Sequence, residues 1–296
     1  MKNNDILIGS HVSMNAPDFY LGSVKEALSY ESTTFMFYTG APQNSYRVPL
    51  EKLKIAEARL LLKEAGIDES KIVVHAPYII NPANKARPEL WDMSIKTIIN
   101  ELQRTSAMGA SIMVLHPGAH VGQGSEAGIS ALAEALNEVF SQDGTNVRIA
   151  IETMAGKGTE IGITFEEVKA ILVGCQYKDR IGVCLDTCHV NDGGYDVKDV
   201  DGLLKEFDSI IGLDKLLVIH LNDSKNPRSS HKDRHENLGY GEIGFGTLNA
   251  IVHHPLLVNI PKILETPYIN EKPPYKQEIS MLKSGEYLPD WREKLF

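Results

Sequence analysis

Short apolar segments rich in β-branched residues recur along the chain, at intervals that suit a repeating strand–helix unit. Eight such segments cover residues 6–13, 33–39, 71–77, 111–118, 147–153, 181–187, 215–223 and 262–267. Each is a continuous apolar run rather than an alternation of apolar and polar residues. The pattern therefore predicts strands that are buried on both faces, as in a parallel sheet covered by helices.

Amphipathic segments with helical spacing separate these strands. The clearest of them cover residues 48–66, 88–109, 125–140, 164–174 and 198–212. Pro88 and Gly109 stand where helix starts and helix ends favour proline and glycine. Gly66 is a plausible stop for the first of these helices, and Thr164 followed by two glutamates suits the start of the fourth.

Eight strands, each followed by a connection of helix length, predict an α/β fold of the (β/α)8 TIM-barrel type. We expect one barrel domain over residues 1–296. The alternative is a doubly wound open sheet, but no glycine-rich dinucleotide-binding motif follows the first strand.

Side chains that can bind metal stand at the carboxyl ends of six of the predicted strands, on the rim where such a barrel places its active site. In chain order they are His75, His116, Glu152, Asp186 with His189 just after it, His220 and Glu265. A single histidine at a strand end is most often a surface or capping residue. Six strands that converge on one rim and each end in His, Asp or Glu are improbable by chance. A buried cluster of carboxylates also repels itself unless it is paired or bound to metal.

Mixed imidazole and carboxylate ligands suit Zn, Mn or Fe(II) better than Mg or Ca, and the set is too large for one ion. Asp233 and His235 lie two residues apart in the loop after the seventh strand, so an extended backbone would place both on one side, where they can share an ion with His189. The other six residues could hold two more ions if one carboxylate bridges them. Two ions about 4 Å apart form a common clamp for displacement at phosphorus.

Composition adds three limits to this interpretation. A hydrophobic fraction of 43% over 296 residues is enough for a sizeable core, and a net charge of −9 argues against non-specific nucleic-acid binding unless bound metal changes the local balance. Three cysteines do not form a disulfide framework. Because we find neither a secretory signal nor roughly 20 consecutive apolar residues, we expect a cytoplasmic protein with no membrane segment.

Six motifs carry a resemblance to a known family: HAPYIIN (75–81), LHPGAHVG (115–122), IETMAGKGTEIG (151–162), CLDTCH (184–189), HLNDSK (220–225) and DRHENLGYG (233–241). Together they resemble the endonuclease IV family of apurinic/apyrimidinic (AP) endonucleases. The similarity runs from IGSHVS near the start to LETP near the end. It implies a (β/α)8 barrel with three zinc ions that cleaves DNA beside abasic lesions, with Mn or Fe as possible substitutes for zinc.

Carried over motif by motif, the resemblance implies a ligand set for each zinc. The first zinc would be held by His75, His116 and Glu152; the second by the bridging Glu152 with Asp186, His220 and Glu265; and the third by His189, Asp233 and His235. Glu152 and Glu265 would be the catalytic carboxylates, and Glu265 would also help to orient the attacking water.

The resemblance further implies a substrate and its contacts. A monomer would cut the phosphodiester 5′ to an abasic site in duplex DNA, leaving 3′-hydroxyl and 5′-deoxyribose phosphate ends, and would also trim blocked 3′ ends. Tyr78 would wedge into the duplex, and Gln43 and Asn44 would contact DNA from the loop after the second strand. Two departures from the family pattern, Pro82 and Ser229, affect loops and no proposed ligand.

Two other functions stay open at this point. A sugar isomerase or epimerase with Mn or Mg on the same barrel would explain Glu152, Asp186, His220 and Glu265, but would leave the three ligands of the third ion without a role. A non-catalytic protein that binds DNA lesions would bind abasic DNA without cutting it.

Overall fold

Eight parallel strands surround a central core in the computed structural model, which describes residues 6–295. The barrel strands are β1 (Ile8–Ser10), β2 (Met36–Tyr38), β3 (Val73–His75), β4 (Ile112–Leu115), β5 (Arg148–Glu152), β6 (Ile181–Asp186), β7 (Leu216–His220) and β10 (Lys262–Leu264). A separate antiparallel pair, β8 (Asp223–Ser224) and β9 (His235–Glu236), lies in the connection between β7 and β10. The order of strands in the sheet is β1-β10-β7-β6-β5-β4-β3-β2.

The two ends of this sheet meet, so that it closes into a barrel. His11 forms a parallel bridge with Met36, and the backbone N–H of Val12 donates to the carbonyl of Met36 at 2.8 Å. The N–H of Thr33 likewise donates to the carbonyl of Ile8 at 2.9 Å. The predicted (β/α)8 barrel is therefore confirmed.

Helices cover the outside of the barrel. Within the described residues they are α1 (Phe19–Ser29), α2 (Ile55–Ala65), α3 (Pro88–Ala107), α4 (Ser125–Gln142), α5 (Phe165–Gly174), α6 (Thr187–Gly193), α7 (Val200–Ile210), α8 (Phe245–His253) and α9 (Tyr275–Ser284). One buried apolar cluster fills the layer between strands and helices, and a smaller one, which includes Val73, Val114 and Ile263, fills the barrel interior. No helix in the described residues is both long and apolar enough to cross a membrane.

Most of the predicted helix ends match the structure. Pro88 is the first residue of α3, and the Thr164 side chain accepts the N–H of Glu167 at 3.2 Å at the start of α5. Gly66 ends α2 in the left-handed conformation at φ 72°. The helix predicted over residues 48–66 is interrupted, however, because Lys54 has φ 53° and separates a short 3₁₀ turn from α2.

Helix α6 was not predicted, yet it carries part of the site. It begins directly after β6, and the Asp186 side chain accepts the N–H of His189 at 2.8 Å as its N-terminal cap. The first turn of this helix thus fixes the backbone that leads to His189.

Candidate metal centre

The nine predicted ligands converge at the carboxyl end of the barrel and fall into three adjoining clusters. Within each cluster the candidate ligand atoms lie within 4.8 Å of one another. Cluster 1 is His75, His116 and Glu152; cluster 2 is Glu152, Asp186, His220 and Glu265; cluster 3 is His189, Asp233 and His235. These are the three sets that the motifs implied, and Glu152 belongs to two of them.

Glu152 lies between clusters 1 and 2 and faces each with a different oxygen. Its Oε2 atom lies 3.3 Å from His75 Nε2 and 3.1 Å from His116 Nε2. Its Oε1 atom lies 3.0 Å from His220 Nδ1. One carboxylate can therefore serve two cations, as a bridging ligand must.

Cluster 2 is held together by the side-chain amide of Asn222, a residue of the HLNDSK motif for which the sequence predicted no role. The Asn222 side chain donates to Asp186 Oδ2 at 2.8 Å and to Glu265 Oε2 at 3.4 Å, and its Oδ1 atom accepts the N–H of Glu265 at 2.8 Å. His220 Nδ1 lies 3.1 Å from Glu265 Oε2 and 3.8 Å from Asp186 Oδ2. Asn222 thus orients two carboxylates toward one imidazole.

Cluster 3 combines α6 with the loop before β9 and with the first residue of β9. His189 Nε2 lies 3.1 Å from Asp233 Oδ1. His235 Nε2 is buried without a hydrogen-bond partner, 3.9 Å from Asp233 Oδ1 and 3.6 Å from Asp186 Oδ2. A buried nitrogen that faces two carboxylate oxygens beyond hydrogen-bond range is the arrangement that a shared cation would complete.

Three of the imidazoles are oriented by backbone carbonyls. The Nδ1 atoms of His75, His189 and His235 lie 2.7, 2.9 and 3.2 Å from the carbonyl oxygens of Ala76, Thr153 and Glu265, respectively. A neutral ring that donates its Nδ1 proton to such a carbonyl leaves its Nε2 lone pair directed into the cluster, which is the usual outer support of a metal-binding histidine.

The carboxylates of the site are buried beside imidazoles that can balance their charge. Burial raises the pKa of Glu152, but the charges of His220 and His116 lower it by more, so that it lies well below its usual range. Burial lowers the pKa of His220, but its hydrogen-bond contact with Cys184 and the charges of Glu265 and Glu152 raise it well above its usual value. The carboxylates need positive charge beside them, which divalent cations would also supply.

The two cysteines beside the site are buried. Cys184 lies close to Glu152 and His220, and Cys188 lies close to Asp186 and His235. Burial raises the pKa of Cys184 to about 12, and it raises that of Cys188 further. Burial therefore favours the neutral thiol at both positions, and the His, Asp and Glu clusters are complete without them.

Two residues on the same rim, His11 and Tyr38, were missed by the sequence reasoning. His11 follows β1, and its ring centroid lies 5.2 Å from that of Tyr38, which lies 5.0 Å from that of His75. Burial lowers the pKa of His11, and its Nε2 atom is buried without a hydrogen-bond partner. His11 lies near the carboxyl end of the strand predicted over residues 6–13, within IGSHVS, and that position was the signal that could have identified it.

The residues expected to contact DNA lie on exposed loops of this rim. Tyr78 is 54% exposed and, with His116, lines a cavity of about 220 Å³. Gln43 and Asn44 are exposed on the loop after β2. Of the two departures from the family pattern, Pro82 is buried, whereas Ser229 has φ 66°, a backbone conformation that favours glycine.

Comparisons with known proteins show which family the whole chain resembles. The profile of a family described as "Xylose isomerase-like TIM barrel" matches residues 24–285. A protein named probable endonuclease 4 from Oceanobacillus iheyensis is 54% identical over 98% of this chain and 99% of its own length. One with the same name from Staphylococcus saprophyticus is 53% identical over the same shares.

Solved structures also resemble the whole chain. The crystal structure of endonuclease IV from Thermus thermophilus superposes with a TM-score of 0.82 at 28% identity, over 94% of this chain and 97% of that chain. A D-tagatose 3-epimerase-like protein superposes with a TM-score of 0.64 at 17% identity, over 97% of this chain and 100% of that chain, and shares the fold alone. The chain therefore belongs to the endonuclease IV family of AP endonucleases, which are hydrolases.

Proposed function

We propose that this chain is a zinc-dependent DNA-repair endonuclease that cleaves the phosphodiester 5′ to an abasic site in duplex DNA. The observation that carries the proposal is the set of three adjoining ligand clusters on one rim, two of which share Glu152. The products would be a 3′-hydroxyl and a 5′-deoxyribose phosphate. The same hydrolysis at a blocked 3′ end would trim it.

The donor set suits three zinc ions, one in each cluster. Five imidazoles and four carboxylates supply the ligands without any thiolate. When bound, such ions lower the pKa of water and neutralise the charge that develops on the phosphate.

Glu265 is the carboxylate of cluster 2 best placed to meet a water molecule. Its side chain is 19% exposed, whereas Asp186 and Glu152 are almost fully buried. Its backbone N–H donates to Asn222 Oδ1 and its Oε2 atom accepts from the Asn222 amide, so the carboxylate has a defined direction. We infer that Glu265 accepts a hydrogen bond from the attacking water and orients it toward phosphorus, with Glu152 fixing the geometry of both neighbouring clusters.

An abasic lesion suits this rim because extruding it from the helix breaks neither base pairing nor base stacking of the missing base. Tyr78 is exposed beside the cavity next to His116, so its ring can enter the gap in the duplex while the sugar–phosphate reaches the clusters. Gln43 and Asn44 would contact the duplex from the loop after β2. Tyr78, Gln43 and Asn44 would thus hold the duplex, while the clusters act on the phosphodiester.

The charge of the rim is compatible with DNA. Three divalent ions add six positive charges to a chain whose formal charge is −9. Five basic side chains are also exposed on the loops of this face and could meet phosphates: Lys157, Lys225, Arg228, Lys232 and Arg234.

A sugar isomerase or epimerase remains the second candidate, since such enzymes share the fold. Cluster 2 alone would suffice for it. Cluster 3 favours the nuclease, because an enzyme with only one or two metal ions would not need its two histidines and aspartate.

The variants E152Q and E265Q test the proposal at the reacting centre. Each removes one negative ligand with little change in volume, and we expect nicking of an abasic oligonucleotide duplex to fall by at least about 10³-fold. E134Q is the matched control, because Glu134 lies on the outer helix α4, paired with Lys85, and should keep full activity. Full nicking activity in E152Q or E265Q would contradict the assignment.

A further inference from the structure

The loop that carries Asp233 adopts an unfavourable backbone conformation. Three of its non-glycine residues lie in the left-handed region: Ser229 at φ 66°, His231 at φ 53° and Asp233 at φ 54°. Such conformations persist only when surrounding contacts hold them, and they concentrate at functional sites. The contacts that hold this loop therefore bear on the site that it carries.

Helix α6 supplies an acceptor to each of the three left-handed residues. The backbone N–H of Ser229 donates to the carbonyl of Asn191 at 3.0 Å, and that of His231 donates to the carbonyl of Asp192 at 3.1 Å. The N–H of Asp233 donates to Asp192 Oδ2 at 3.0 Å. The last of these is the one contact of the three that depends on a side chain.

The Asp192 carboxylate is itself fixed in place. It is completely buried, and its Oδ1 atom accepts the Ser224 hydroxyl at 2.7 Å and the Asn191 side-chain N–H at 3.1 Å. Ser224 belongs to β8, at the other end of the same connection. Asp192 therefore links α6, β8 and the loop before β9.

We propose that Asp192 is a positioning residue for cluster 3, which fixes the backbone at Asp233 so that its carboxylate meets His189. Asp192 lies three residues after His189 on α6, so one short helix holds both sides of the 3.1 Å contact between His189 and Asp233. The inference rests on the proposed metal function, and it adds to it a residue that need not touch any ion.

The test measures zinc rather than activity. The full chain is stripped with a chelator, reloaded at a buffered free-zinc concentration that just saturates the wild type, and counted by mass spectrometry of the metal. We expect about three ions in the wild type and about two in D192A, because losing such an outer support weakens a metal site by about 10- to 100-fold. H189A, which removes a ligand of cluster 3 directly, is the reference for that loss.

The variant D192N keeps an acceptor for the Asp233 N–H but loses the charge. We expect it to bind three ions at excess zinc, with the weakest ion bound about tenfold less tightly than in the wild type. It also keeps the test decisive if D192A does not fold, as judged by circular dichroism of the metal-free proteins.

Three results would overturn the inference: three ions of wild-type affinity in folded D192A, unchanged affinity of the weakest ion in D192N, or loss of ions from all clusters alike. The last would make Asp192 a support of the whole fold. A wild-type chain that never binds about three ions would instead contradict the proposed function, and it would do so before any variant is compared.

Discussion

At the scale of single residues, two carboxylates of the site each perform two tasks with separate oxygens. Glu152 faces clusters 1 and 2, and Asp186 caps α6 with Oδ1 while Oδ2 faces cluster 2 and accepts from Asn222. Because each oxygen has its own partner, replacing either acid by its amide changes two environments at once. The ligand clusters are thus coupled through shared side chains as well as through proximity.

A buried carboxyl outside the clusters makes the stability of the fold depend on pH. Glu278 on α9 accepts the Thr266 hydroxyl and the N–H of Leu238, and burial raises its pKa from 4.5 to about 7 although these hydrogen bonds lower it. The folded chain therefore holds this proton more tightly than the unfolded chain. The resulting stabilisation is fully present below the unfolded pKa and is lost as pH rises through the folded pKa.

The variant E278Q isolates this effect, since glutamine keeps the shape without titrating. We expect the free energy of unfolding of the wild type, relative to E278Q, to fall by up to about 3 kcal/mol between pH 4.5 and pH 8. Urea unfolding of both proteins across this range measures the difference, and other titrating groups cancel. A difference that is constant with pH would show that Glu278 is not protonated in the fold near neutral pH.

The location of a single residue was predictable where its position in the chain implied the side of the barrel on which it lies. The convergence of the candidate ligands at strand ends was predictable because every parallel strand of a barrel places its last residues on one rim. Asp192 was not found, because its role depends on a loop some forty residues later that folds back onto α6. Tyr38 was not found either, because it resembles the apolar end of a strand, and only its packing against His75 places it at the site.

At the scale of elements, a buried ion pair between Arg47 and Glu101 links the loop after β2 to helix α3. The Arg47 side chain donates to Glu101 on α3 and also to the carbonyls of Asn44 at 2.9 Å and Tyr46 at 2.8 Å. The Arg47 and Glu101 side chains are almost completely buried. Residues 43 and 44 are therefore presented on a defined backbone rather than on a free loop.

Removing this support should weaken DNA binding. We expect R47M to raise the KM for abasic duplex about tenfold, with a much smaller change in kcat, because the clusters lie on other elements. The double variant R47M/E101M should show the same KM, because it too lacks the ion pair that supports the loop. Steady-state nicking at several DNA concentrations measures both constants, and an unchanged KM in both variants would show that the support from Arg47 does not contribute to DNA binding.

Strands and helices were predictable where an apolar surface has to be buried. They were missed where polar contacts determine the backbone conformation. The strands were predictable because a continuous apolar run is stable only when both of its faces are buried, as in a parallel sheet covered by helices. Helix α6 consists of TCHVNDG, a largely polar segment that becomes helical because Asp186 caps it and the loop at residues 229–233 donates hydrogen bonds to it. Lys54 breaks the helix predicted over residues 48–66 by adopting φ 53°, which no local pattern indicated.

At the scale of the whole molecule, closure of the barrel depends on close contact between its first and last strands in sheet order. Gly9 lies in β1, and a Cβ atom built there would lie 1.7 Å from the carbonyl oxygen of Thr34. Because the obstacle is backbone next to β2, no side-chain rotation can relieve it. Glycine at this position allows the chain to approach closely enough to close the sheet.

The variant G9A should therefore destabilise the fold by about 3 kcal/mol or more. G246A is the control, because a Cβ at Gly246 meets no atom within 4 Å and the residue lies in α8, where alanine is favourable. Thermal unfolding of both variants against the wild type gives the comparison. Equal stability of G9A and G246A would mean that the approach of β1 to Thr34 is not close in solution.

The three clusters are proposed to act together in cleaving DNA beside an abasic site. The nicking of a labelled duplex with a single abasic site tests this most directly. We predict that the zinc-loaded protein makes one break 5′ to the lesion with a 3′-hydroxyl end, leaves an intact duplex uncut, loses this activity to chelator and regains it when zinc is restored. Folded, zinc-loaded protein that binds the abasic duplex without cutting it, or that cuts equally well after its metal is removed, would contradict the account.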